Sequence, residues 1–453
     1  MPRFHRLCCA GLRCTPFRSL GIAAMIPLVA SLAHSAPDAT PLRLADGRPL
    51  ACVYYFPHWW DPWKSDDDAI RRDFATLKAM GISTLAMDHE WSQAIDGNWR
   101  LLDRAHRLAA EAGLQILPWL SAKVWVDMLD GDRPKLVKQW YGVDLKRSQR
   151  QDGTPAALVI WDEATIAAGT AYAEQYLDRY GSQALLRVNW HGKPRPVVAL
   201  SVELGWEGGF DDATNALFVG WLRKQYGGDL AKLNAAWGTE YRSFGGINPR
   251  DTRVFDYAML RQGKSAHPQA VEDHIEFRSQ LISESLGKMA DRLRRKHPEV
   301  LILAELPYQF AAEHPDAKSY RIQYAANPSC ARSADILFFR CTGPLSQGEA
   351  DFLTAWRKET GQPAIMTYRT YSDWAKELPA KITADSADLY AGQAAKYGNG
   401  FGFYSWNEMV DTHVAPSRPE DMGKPGALTP EQSARSVDLM RAMVKRYLEI
   451  VGK

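Results

Sequence analysis

A chain of 453 residues, 46% hydrophobic and 24% charged, has the composition of a globular enzyme and not of a disordered or fibrous protein. Its formal net charge of +2 comes from the start of the chain: the first 20 residues hold Arg3, Arg6, Arg13 and Arg18 and no acid, so the remainder stands near −2. No basic stripe is left to follow a phosphate backbone, which argues against nucleic acid as a partner.

Those arginines precede the apolar run LGIAAMIPLVASLA and a small-residue exit around Ala33, Ser35 and Ala36. A basic start, a short apolar run and a small-residue exit form the pattern of a secretory signal peptide. The run is short for a membrane span, and Pro27 interrupts it. Residues 1–35 are therefore expected to be removed on export to the periplasm or medium, with residues 36–453 forming a single domain that keeps no stable membrane association. Cys8, Cys9 and Cys14 leave with the signal. Cys52, Cys330 and Cys341 remain, an odd set that implies no disulfide framework, although Cys330 and Cys341 could pair. No CxxC or HExxH spacing supports zinc, and no GxGxxG loop follows a strand, so neither cofactor nor metal is expected.

Past the signal, extended apolar runs recur: 51–60, 82–91, 115–122, 196–205, 300–308, 334–343, 363–372 and 400–409. Most are continuous instead of alternating, as parallel strands buried on both faces require. Helical patterns lie between them. In residues 65–81, Ser65 is the expected N-cap, acids fill the first turn, and Gly81 is the stop, with Ile70, Phe74, Leu77 and Met80 on one face. Comparable spacing marks 98–111, 163–179, 275–297, 346–360, 380–396 and 429–450, whereas 310–333 carries no convincing helix. Eight strands alternating with seven or eight helices predict an α/β chain folded as a (β/α)8 TIM barrel. Long βα-loop insertions are expected at 123–160 and 206–274. A doubly wound open sheet is the competing arrangement.

In such a barrel the active site lies at the C-terminal ends of the strands. There the sequence places His58, Trp59 and Trp60, then Asp88 and His89, then Trp119. Glu203, Trp206 and Glu207 follow, then Glu305, Arg340, Tyr368 and Arg369, and last Trp406, Asn407, Glu408 and Asp411. Carboxylates, indoles and phenols on one rim suit a carbohydrate, because aromatic faces stack on the apolar face of a pyranose while carboxylates and amides bind its hydroxyls. Glycoside cleavage needs two carboxyl groups. Glu203, after the apolar stretch VALSV, is the first candidate, and Glu408, beside Asn407, is the second. Asp411, Glu305, Glu207 and Asp88 are reserves, read as binding or structural acids before catalytic ones, and Glu408 with Asp411 and Glu203 with Glu305 are the further pairs. His58 and His89 read either as sugar ligands or as satisfied structural residues.

Two stretches resemble glycosidase families. LFVGWLRKQYGGDLAKLNAAWGTEYRSF (217–244), following VALSVELG, is similar to the helix pair after the fourth strand in family 42 β-galactosidases and related clan A barrels. That resemblance implies an acid/base role for Glu203. Val202 stands where clan members usually have Asn, and AIMTYRTYSDW has no Glu where the family's nucleophile belongs. YSWNEMVDTHVAPS, with YYFPHWWDPW and LKAMGISTLAMDHEW, resembles family 99-like barrels, whose E-x-x-E pair would map to Glu408 and Asp411. The expectation is an exported glycoside hydrolase with a carbohydrate substrate. A carbohydrate-binding barrel without catalysis, or a transglycosylase or lyase, is the alternative. Oligomeric state is open.

Overall fold

The computed structural model describes residues 40–55, 66–89, 99–120, 138, 144–159, 161–200, 208–306, 331–341, 343–369, 384–410 and 429–452, which fall in one compact unit, residues 37–453. The chain opens with strand β1 (Ala51–Tyr54), helix α1 (Asp67–Met80), β2 (Thr84–Asp88), α2 (Arg100–Ala112) and β3 (Gln115–Trp119). A hairpin of β4 (Arg147–Gln149) and β5 (Pro155–Leu158) precedes α3 (Glu163–Tyr180), β6 (Arg187–Trp190) and β7 (Lys193–Ala199). Next come α4 (Asp212–Gln225), α5 (Leu230–Trp237), α6 (Tyr257–Arg261) and the long α7 (Pro268–Lys296). The last part runs through β8 (Leu301–Leu306), β9 (Ile336–Cys341), α8 (Gln347–Thr360), β10 (Ala364–Arg369), α9 (Ala384–Tyr397), β11 (Gly400–Tyr404), α10 (Trp406–Val410) and α11 (Pro430–Val451).

Eight strands pair in parallel in the order β1, β2, β3, β7, β8, β9, β10, β11, and β11 pairs back onto β1. The β3–β7 contact, Trp119 against Ala199, closes the ring. The eight apolar runs thus become the eight barrel strands, and the open sheet is excluded. Continuous burial has a simple origin: one set of alternate side chains fills the barrel and the other packs against the helices. Cys52, Tyr54, Leu117, Trp119, Val197, Ala199, Leu303 and Phe338 form the inner set. Val53, Leu85, Ile116, Val198, Ile302, Phe339, Met366 and Phe403 meet the helices.

The first helix is capped by Asp66, whose carboxylate accepts from the Asp68 amide, one residue after the expected Ser65, which lies outside the described residues. Gly81 ends it in the left-handed conformation, and Ile70, Phe74, Leu77 and Met80 are all buried. The helix expected at 275–297 starts earlier, at Pro268, because proline is favoured in the first turn.

Both expected insertions carry structure. Residues 147–158 form the β4–β5 hairpin, and residues 208–274 hold α4 to α6 around Phe218, Leu222, Leu233, Trp237, Phe244 and Phe255. They are stitched together. Gln151 donates to the carbonyls of Pro249 and Phe255, and Arg250 donates to Gln149 at 3.0 Å. Ser148 takes the Gly209 amide at 2.6 Å and donates to Asp211, the cap of α4. The first chain segment after the fourth barrel strand to be described is thereby tied to the hairpin.

Candidate active site

Alternation along the strands decides which strand-end residues face the barrel axis. Counting by twos from the inner set gives Tyr54 on β1, Asp88 on β2, Trp119 on β3, Glu305 on β8, Arg340 on β9 and Tyr404 on β11. They converge. Glu305 accepts from the Trp119 indole at 3.3 Å through Oε2 and is ion-paired through Oε1 to Arg340 Nε. Side-chain exposure is 5% for Glu305 and 11% for Arg340, so the pair is almost wholly withdrawn from water. The Arg340 guanidinium lies 4.6 Å from the Tyr404 ring centroid and 5.5 Å from that of Tyr54. Tyr54 in turn packs on Trp119 at 4.9 Å and on Tyr404 at 4.8 Å, while Trp119 meets Phe338 edge-on at 4.8 Å.

The chemistry follows from this layer. An Arg cation and an indole N–H, both donors, hold Glu305 as an ionised acceptor. Burial first, then the negative charges of Asp88 and Glu305, push the Tyr54 phenol well above its ordinary range, with Arg340 opposing. Tyr54 therefore stays a neutral hydrogen-bond donor. Tyr54 and Tyr404 lie inside the apolar runs 51–60 and 400–409 and are not among the residues expected at the strand ends. Their signal was parity: each stands in the inward series at the last turn of its strand.

Other candidates lie elsewhere. Tyr368 has the outward parity, is fully buried, and donates to the Tyr390 carbonyl at 3.2 Å against α9. It belongs to the wall behind the barrel, which corrects its expected place at a substrate. Trp406 is 2% exposed and also packs in the outer layer, where its indole N–H has no partner among the described residues. Trp119 is equally covered, so it serves as a wall and a donor and not as an open platform. Asn407 is buried beside it on α10. The side chains of Arg369 and Glu408, and all of His58, Trp59, Trp60, Glu203, Trp206, Glu207 and Asp411, lie outside the described residues.

His89 takes the structural role. Its Nδ1 is 2.6 Å from the Tyr176 hydroxyl, which is also 2.6 Å from His106 Nε2, and its carbonyl accepts from Tyr172. Burial lowers His106 to about 3, so its imidazole is neutral at ordinary pH. Cys341 is buried and free, burial drives its thiol well up, and Cys330 lies outside the described residues.

Comparison with known proteins adds the family evidence. The family model of glycoside hydrolase family 42, β-galactosidase, matches residues 172–326, from the middle of α3 past the end of β8. Over that stretch the chain is similar to this family of glycoside hydrolases. A β-galactosidase from the Antarctic haloarchaeon Halorubrum lacusprofundi superposes with a TM-score of 0.59 at 16% identity, covering 88% of this chain and 58% of its own. The β-galactosidase from Marinomonas gives 0.56 at 14% identity, with 89% and 60% covered. The catalytic domain of β-amylase from Paenibacillus polymyxa gives 0.55 at 15% identity, with 83% and 94% covered. The chain thus spans about three-fifths of these two β-galactosidases. At such identities the structural likeness speaks for the barrel alone. No curated protein matches the sequence.

Proposed function

We propose that the protein hydrolyses O-glycosidic bonds in an oligo- or polysaccharide by acid/base catalysis with two carboxyl groups, Glu203 being the proton donor. The observation that carries this reading is the inward layer at the C-terminal end of the barrel, where Glu305, Arg340, Trp119, Tyr54 and Tyr404 assemble a charged, aromatic-walled floor. The family 42 match includes the segment that contains Glu203 and gives β-galactosides as the first substrates to try. In sequence, Glu203 continues the odd-numbered series of Val197 and Ala199, the inward residues of β7. Protonation of the leaving oxygen by such an acid contributes roughly 10²–10⁴-fold. On a panel of aryl glycosides and polysaccharides, Glu203→Gln should lose about that factor while melting like the wild type. Full activity in the folded variant removes Glu203 from the mechanism.

One observation favours a second reading. Strand β10, AIMTYR, contains no acid, so the position that holds the nucleophile in family 42 is empty of one. The alternative is a barrel that binds glycans without cleaving them. Calorimetric binding with no product after long incubation would establish it. Product masses separate hydrolysis, which adds water, from transglycosylation or lyase chemistry.

Export is part of the proposal and rests on residues 1–35. N-terminal sequencing of protein recovered from the periplasm or medium should begin near residue 36. An intact Met1 in that fraction would refute cleavage.

A further inference from the structure

We propose that Tyr176 is a redox-active tyrosine: it gives an electron to a one-electron oxidant at the surface, by way of neighbouring rings, while its phenol proton passes to an adjoining imidazole. The site lies in the outer wall of the barrel, between α3, α2 and the end of β2, and is independent of the hydrolytic reading.

The sequence spaces Tyr172, Tyr176 and Tyr180 four residues apart, which puts three phenols on one face of α3. All three are buried, and their hydroxyls have different partners. Tyr172 donates to the His89 carbonyl at 2.7 Å, and Tyr180 to the Asp103 carboxylate at 2.8 Å. Tyr176 instead lies between two imidazole nitrogens, His89 Nδ1 and His106 Nε2, each at 2.6 Å. One hydroxyl hydrogen serves one of these contacts, so the other ring must supply an N–H. In either arrangement a nitrogen base sits on the Tyr176 O–H.

The step balances. Burial holds the phenol well above its ordinary range, so Tyr176 keeps its proton until an electron leaves. Loss of the electron turns the phenol into a far stronger acid than an imidazolium, and the proton crosses the short bond to the accepting nitrogen. The O–H bond breaks, an N–H bond forms, and the electron ends on the oxidant. What remains is a neutral phenoxyl radical beside an imidazolium, its oxygen accepting an N–H from both rings. A reductant reverses the step. The Asp103 charge opposes the effect of burial on His106 and favours its protonated form. The other phenols are less suited. The carbonyl to which Tyr172 donates cannot keep a proton, and protonating Asp103 beside Tyr180 would discharge its contacts with Arg179 at 2.8 and 2.7 Å.

The electron has a path. The Tyr176 and Tyr180 ring centroids are 4.8 Å apart, and Tyr180 lies 6.0 Å from the half-buried Trp99. The Arg179 guanidinium stands 5.7 Å from the Trp99 ring, and its charge opposes a lasting positive vacancy on the indole. Trp99 and Tyr180 pass the vacancy on, and Tyr176, in the outer layer, retains it.

The test uses the full chain, photogenerated tris(bipyridine)ruthenium(III) as oxidant, and rapid freezing for electron paramagnetic resonance. The wild type should give a neutral tyrosyl radical whose oxygen couples to two exchangeable protons, both lost in heavy water, and to nitrogen of isotope-labelled histidine. Tyr176→Phe should lose that signal. A radical with one such proton or none, or tryptophan radicals only, overturns the assignment. So does a wild-type signal that persists in folded Tyr176→Phe. The wild-type couplings decide the matter even where the variant fails to fold.

Discussion

A carboxylate and a guanidinium that are 5% and 11% exposed form a pair whose value depends on both members being present. Removing one member leaves the other charge in the barrel, which costs about 3–5 kcal/mol, while replacing both by apolar side chains of similar size is often close to neutral. Arg340→Met should therefore lower the thermal midpoint sharply, and Glu305→Leu with Arg340→Met should recover most of the loss while remaining inactive. Equal midpoints for the single and double variants would show that the pair is not coupled. Glu305, Arg340, Trp119 and Asp88 were legible in the sequence because each interrupts or ends an apolar run. Tyr54 and Tyr404 were not, since a phenol inside such a run reads as core until its parity in a closed barrel is known. Tyr368 failed for the same reason in reverse: it looks like a strand-end phenol, and its even number turns it to the helices.

At the level of strands and helices, eight continuous apolar runs were enough to count the barrel, because each strand is covered on both faces. Close approach inside the ring was less visible. A methyl group on Gly402 of β11 would meet the Cys52 side chain, lie 2.9 Å from Thr367 Cγ2 and 3.0 Å from the Cys52 carbonyl. Gly402→Ala should then destabilise the chain by about 1–3 kcal/mol through overpacking, read as a lower urea midpoint at unchanged slope. A wild-type midpoint would mean that the inner layer can yield there. The segment resembling family 42, residues 217–244, turns out to serve folding. Asn234 brackets the turn after α5 through Thr239 and Tyr241, and the Trp237 indole and the Tyr226 hydroxyl share Asp273 at 2.8 and 2.6 Å. Its motif is a helix-pair motif, and it marks the site only by following the fourth barrel strand.

For the molecule as a whole, buried imidazoles set a pH dependence. His106 is lowered to about 3 from 6.5 by burial, and His274 well below its usual value by burial and then by Arg278. Between those limits the unfolded chain binds protons that the folded chain refuses, so stability rises with pH up to about 6.5 and falls on acidification. Each such histidine contributes about 1.4 kcal/mol per pH unit inside its window. Urea unfolding between pH 6.5 and 4.5 should show that slope, and His106→Gln should reduce it. A flat profile would mean that these rings are protonated in the folded state. Salt-bridged carboxylates such as Asp67 and Asp103, lowered by Arg107 and Arg179 respectively, act at lower pH in the same direction.

By itself, the amino-acid order determined the number of barrel strands, their parallel burial, most helix limits and the list of polar residues at the strand ends, since all of these depend on local periodicity and on where apolar runs stop. Which of those residues meet was decided only by closure of the ring. Closure sets one alternate face of every strand toward a common axis and the other toward the helices, and it brings residues 54, 119, 305, 340 and 404 into one layer although they are spread over 350 positions.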